Sequence, residues 1–84
     1  MNSMARPSLP VHRFGGVLYA YGKLLQAIGR LQDAEALLRE SLDMRRSDPD
    51  LGPDHSKTKE SLESLRSLLQ DMGRLDAAED LTAS

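Results

Sequence analysis

Cysteine is missing from all 84 residues of this chain. Its absence excludes a disulfide framework, a thiolate nucleophile and a cysteine-based zinc site, and it agrees with a reducing compartment. A dominant charge is missing as well. With 11 Lys and Arg against 13 Asp and Glu, interspersed along the chain, the formal net charge is −2. No basic field of the kind that nucleic acid or an anionic membrane requires can form from that balance. Long apolar runs are also absent, and the segment from Met1 to Pro10 has no apolar core of a signal peptide. These absences predict a soluble, cytoplasmic protein that binds neither nucleic acid nor membrane. Its length allows one small domain, whose net stability is on the order of 3–5 kcal/mol.

What the chain does contain is a repeat. The segment from Leu24 to Leu37 (LLQAIGRLQDAEAL) returns from Leu68 to Leu81 (LLQDMGRLDAAEDL) at an offset of 44 residues, and Ile28/Met72 is an apolar swap within it. A period of that size marks a supersecondary unit that buries its apolar face by stacking on a copy of itself. Contact, rather than chemistry, is the expected job.

The organisation follows from local pattern. Residues 1–10, with Asn2, Ser3, Pro7, Ser8 and Pro10, read as a disordered tail, and 11–84 as a helical domain. Its first unit spans about 11–54 and its second about 55–84, with a truncated last helix. In the first unit Phe14, Val17, Leu18, Tyr21, Leu24, Leu25 and Ile28 recur at spacings of three and four. That pattern predicts helix one over Val11 to Ile28 with all seven on one stripe, while a chain of two repeats leaves much apolar side surface uncovered. Gly22 within it calls for a reason, and close approach of a neighbouring helix supplies one. Gly29 ends the helix as a C-terminal cap.

A second helix carries Leu31, Ala34, Leu37, Leu38 and Leu42 inward, with Gln32, Asp33, Glu35, Arg39, Glu40 and Asp43 facing water. Acids at its start and Arg45-Arg46 at its solvated end suit the helix dipole. The link is so short that the two helices form an antiparallel hairpin. Ser47 to Asp54, with two prolines and a glycine, is loop. Helix three follows, capped by Asp54 or Ser56, with Leu62, Leu65, Leu68, Leu69 and Met72 inward. Gly73 breaks it, and helix four starts at Leu75 with Ala78 and Leu81 on its inner side. The expected fold class is all-α: tandem antiparallel helical hairpins, about two repeats of an α-solenoid.

These residues carry a resemblance. Leu18, Tyr21, Gly22, Leu25, Gly29, Leu31, Ala34, Leu38 and Leu42 fall where a tetratricopeptide repeat has large, large, small, large, turn, large, small, large and large residues. The second unit agrees at Leu62, Leu65, Leu69, Gly73, Leu75 and Ala78, and departs at Arg66 and Thr82. The chain lacks the tryptophan and the closing proline of the strongest signatures. Its period is also longer than the family's usual 34. The extra length holds Leu51-Gly52-Pro53-Asp54-His55, similar to the long-looped repeats of kinesin light chains, although Ser56 stands where those carry proline. HEAT-type units are the structural alternative.

The resemblance implies a scaffold that binds a peptide or a helical segment of a protein partner on its concave side, lined by the first helix of each unit. Carried over by position, the contact residues are Tyr19, Lys23 and Gln26 in the first unit and Glu63, Ser67 and Gln70 in the second. Spacings of four and three also keep each trio on one helix face. The alternative role is structural: a piece of a longer solenoid, or a unit that forms a homo-oligomer through exposed stacking faces.

Other constellations weigh less. His12 and His55 have no His or Cys at helical spacing, so no metal site is expected. Asp33/Glu35 and Asp76/Glu79 read as first-turn dipole chemistry rather than paired catalytic acids. Gly15-Gly16 lacks the strand and the Lys-Ser/Thr of a phosphate loop, and the leucine line of helix three is too short for a coiled coil. No cofactor and no enzymatic activity are expected.

Overall fold

The computed structural model describes residues 14–83. Every regular element among them is a helix: α1 (Gly15–Ala27), α2 (Leu31–Ser47), α3 (Ser56–Asp71) and α4 (Leu75–Ala83). The chain is all-α. The expected tail, and the first turn expected from Val11, lie outside the described residues.

The duplicated sequence folds into duplicated hydrogen bonds. After α1 the N–H of Gly29 donates to the Gln26 carbonyl at 3.1 Å and that of Arg30 to the Leu25 carbonyl at 2.9 Å. After α3 Gly73 donates to Gln70 at 3.0 Å and Arg74 to Leu69 at 2.8 Å. Both are Schellman closures, whose left-handed residue is a glycine with φ of 88° at Gly29 and 77° at Gly73. The next helix starts at once, because the carbonyls of Arg30 and Arg74 accept from Ala34 and Ala78 at 3.0 and 3.1 Å. Each Gly-Arg-Leu triplet therefore closes one helix and opens another, folding α2 back on α1 and α4 back on α3.

Packing runs α1 on α2, α2 on α3 and α3 on α4, with a narrow contact between α1 and α3. The buried apolar core is Leu25, Ala34, Leu38, Leu42, Leu65, Leu68, Leu69 and Ala78. Gly22 is buried where α1 crosses α2: a Cβ there would stand 3.0 Å from Leu38 Cδ2 and 3.5 Å from the Ala34 carbonyl oxygen. The close approach expected at this glycine is present.

One expectation is refined and two are corrected. First, the apolar stripe of α1 is not buried as a whole. Leu25 is buried and Leu18 half-buried, but Phe14, Val17, Tyr21, Leu24 and Ile28 are 44–64% exposed. Periodicity aligned these side chains without supplying an element to cover them, and α2 meets α1 on the Gly15, Gly22 and Leu25 side. Second, the N-cap of α3 is His55, not Asp54 or Ser56, with its Nδ1 accepting from the Lys57 N–H at 3.0 Å. Third, Arg45 does not end α2 in solvent. It is 4% exposed, while Arg46 is exposed as expected.

A candidate partner face and the polar seam beneath it

The first trio lies along α1 and the second along α3. At Tyr19 the two helices meet, where Ser64 Oγ donates to Tyr19 Oη at 3.3 Å. Tyr19 is half-buried, and the Arg45 guanidinium carbon sits 5.0 Å from its ring centroid. Cation–π attraction and the Ser64 bond thus hold one ring from α2 and α3 together. Tyr19 is a bridge between helices more than an offered contact.

Lys23, Glu63, Ser67 and Gln70 are exposed. Glu63 accepts from Arg66 Nη2 at 2.6 Å, one turn along α3. This pairing gives Arg66, one of the two departures from the repeat pattern, a partner at the surface. Gln26 differs from the others in having its side-chain Oε1 buried with no hydrogen-bond partner. A buried amide oxygen without a donor costs about 1–3 kcal/mol, so it constitutes an acceptor in want of an N–H or O–H. Among the described residues, no hydrogen bond or ion pair joins one trio directly to the other.

Sequence periodicity missed a buried polar seam between α2 and α3. Arg45 Nη1 donates to the Lys57 carbonyl at 2.6 Å and to Ser61 Oγ at 3.0 Å, with Glu60 Oε1 at 3.3 Å. Ser61 Oγ lies 2.8 Å from Ser41 Oγ, and Ser41 donates to the Gly15 carbonyl at 2.7 Å. A hydroxyl has one proton to give, so the Ser41 proton is committed to Gly15 and Ser61 must donate to Ser41. The bonds run one way, from Arg45 to Ser61 to Ser41 to the α1 backbone. Gly15 is required beside this chain, since a Cβ there would come within 2.7 Å of Arg45 Cγ.

Thr58 extends the seam into the loop by donating to the Gly52 carbonyl at 2.7 Å. The loop folds around Asp48, whose carbonyl accepts from Leu51 and Gly52 at 3.0 Å each and whose Oδ1 accepts from Asp50 N–H at 2.8 Å. A signal for the seam existed. Ser41 and Arg45 continue the Ala34–Leu38 line of α2, and Thr58 and Ser61 open the Leu65–Leu68 line of α3, so polar residues occupied stripe positions.

Glu35 also departs from a simple solvated acid. It pairs with Arg39 at 2.9 Å on its own helix and with Arg74 at 2.6 Å across the two units, and its side chain is 14% exposed. Comparison with protein-family models, with curated proteins and with solved structures finds no match.

Proposed function

We propose that the chain is a tetratricopeptide-like protein-interaction module, in which the first helices of two tandem hairpins offer one continuous binding strip to a peptide or helical segment of a protein partner. The observation that carries this reading is the Ser64–Tyr19 bond, because it sets α1 beside α3. Lys23 and Gln26 then continue along α1 from that junction, while Glu63, Ser67 and Gln70 flank it on α3. The exposed side chains of Lys23, Glu63, Ser67 and Gln70 supply the polar contacts for such a segment, while the Gln26 Oε1 is buried beneath the strip. Lys23 and Glu63 give the strip one charge of each sign, which suits a partner of mixed charge. On this reading no residue performs a chemical step, and the cysteine-free chain is assigned to the cytoplasm.

The test is selection of peptides from a random displayed library on the immobilised chain, followed by amide chemical-shift mapping of the bound peptide. Shifts concentrated at Lys23, Gln26, Glu63, Ser67 and Gln70, with binding lost in Lys23→Glu or Glu63→Lys, are the expected result. Shifts confined to α2 and α4 would refute the assignment. A structural role is the second reading, favoured by the exposed apolar side of α1.

A further inference from the structure

The exposed side of α1 has a buried twin in the same molecule. Tyr21, Leu24 and Ile28 are all more than half exposed. At the offset of 44 their counterparts on α3 are Leu65, Leu68 and Met72. Leu65 and Leu68 are fully buried and Met72 partly so. The line they form is anchored on the first hairpin at both ends. Ser61, one turn before Leu65, bonds Ser41 of α2, and Met72 lines the depression at the turn of residues 29–33. What covers this face of an hairpin in this protein is therefore visible: the second helix and turn of the preceding hairpin.

The second hairpin presents the matching acceptor. Gly73, Arg74, Leu75, Asp76 and Ala77 line a depression that is the offset copy of the one at 29–33. In the first depression Met72 is part of the wall, whereas the second is lined by the turn residues alone. Leu75 beside it is 59% exposed. The residue equivalent to Met72 is Ile28, exposed at the C-cap of α1. The residue types of the ionic contact across the units recur as well: Arg74 pairs with Glu35 at 2.6 Å, and the offset counterparts are Arg30, which pairs with Asp33 at 2.6 Å in its own turn, and Glu79.

We propose that copies of this chain associate head to tail, the α1 face of one copy packing on α4 and the 73–77 turn of the next as α3 packs on α2 within a copy. Ile28 enters the depression beside Leu75, and Tyr21 and Leu24 lie along α4. The occupant is a second copy because its donor and acceptor faces are the offset equivalents of two faces that fit each other inside the molecule, with the contact here apolar because Val17 stands where α3 has Ser61. Such an interface is heterologous, so each added copy leaves one donor and one acceptor face open. α4 spans only the positions equivalent to Leu31–Arg39, so Phe14 and Val17 stay outside the contact. With only the nine residues of α4 and its turn on the acceptor side the interface is small, and association is concentration-dependent. This inference does not depend on the binding strip proposed above.

Sedimentation equilibrium of the full chain and of two surface variants, Ile28→Asp and Leu75→Asp, tests it. Circular dichroism checks that both variants keep their helices, as expected of substitutions at exposed positions. The wild-type mass should rise with concentration beyond a dimer, and each variant alone should stay monomeric, its association weakened at least about tenfold. An equimolar mixture of the two variants should form a dimer and stop there, because Leu75→Asp keeps the α1 face that Ile28→Asp has lost. A wild-type chain monomeric at all concentrations would overturn the proposal. So would self-association of Leu75→Asp alone, which would mean α1 pairs with α1, and so would a mixture that remains monomeric.

Discussion

The hydroxyls of Ser41 and Ser61 lie 2.8 Å apart, fully buried, and join the side chains of α2 and α3. Arg45 feeds that contact from one side and the Gly15 carbonyl drains it on the other. The seam ties three helices through side chains that are all buried.

Arg45→Met should destabilise the domain by about 1–3 kcal/mol, since it removes the donor to the buried Ser61 hydroxyl and to the part-buried Lys57 carbonyl. Arg46→Met, at an exposed position, should stay within roughly 0.5 kcal/mol of wild type. Urea titration followed by far-ultraviolet circular dichroism measures both. Equal midpoints for the two variants would mean the seam contributes nothing.

Gly22→Ala and Gly16→Ala should change stability in opposite directions. Alanine gains roughly 0.5–1 kcal/mol of helix propensity at either site. At Gly22 the new methyl meets Leu38 at 3.0 Å, and Leu38 is fully buried with no room to yield. Overpacking of about 1–3 kcal/mol then outweighs propensity. At Gly16 the nearest atom is Arg45 Nη2 at an ordinary 3.5 Å, so the gain survives. Thermal unfolding midpoints above wild type for Gly16→Ala and below it for Gly22→Ala are the expected pair.

Arg74→Ala should lower stability by about 0.5 kcal/mol and lose much of that effect in high salt, as a half-exposed ion pair does. Arg66→Ala, whose pairing with Glu63 stays within one helix, should have a smaller effect. Paired urea titrations at low and high ionic strength check this. Salt-independent effects would assign the Arg74 contribution to packing of its stem instead.

His55→Ala should cost roughly 0.5–1 kcal/mol by removing the acceptor for the Lys57 N–H, and His55→Ser should restore most of it. The comparison of the two midpoints separates capping from loss of the imidazole ring. If serine is as poor as alanine, the ring's packing and not its Nδ1 is what matters.

Much of this fold was legible because it depends on local rules. Gly29 and Gly73 adopt positive φ where the periodic stripes end, Gly22 admits the neighbouring helix, and the Pro-Gly-rich segment holds a turn at Asp48. The burial of α1 was not legible, because spacing states which side chains share a face and says nothing about whether another element covers it. Arg45 was misjudged for a related reason. A basic residue in the last turn of a helix suits the dipole in water, and only the arrival of Ser61 and the Lys57 carbonyl from α3 makes its burial affordable. Of the candidate strip, four residues stand at the surface as expected, while Tyr19 is engaged in holding helices together and Gln26 hides its oxygen.

The line of α3 against the first hairpin mixes two chemistries, hydroxyls at Thr58 and Ser61 and aliphatic side chains at Leu65 and Leu68. Leucine on leucine tolerates a slip by one helical turn, because dispersion forces do not name their partner. A hydroxyl displaced by the same step would lose its mate in a dry interior. The short polar stretch therefore acts as a key that fits one lock position, and the angle at which one hairpin leans on the other is written by a few oxygen and nitrogen atoms instead of by the greater mass of hydrocarbon around them.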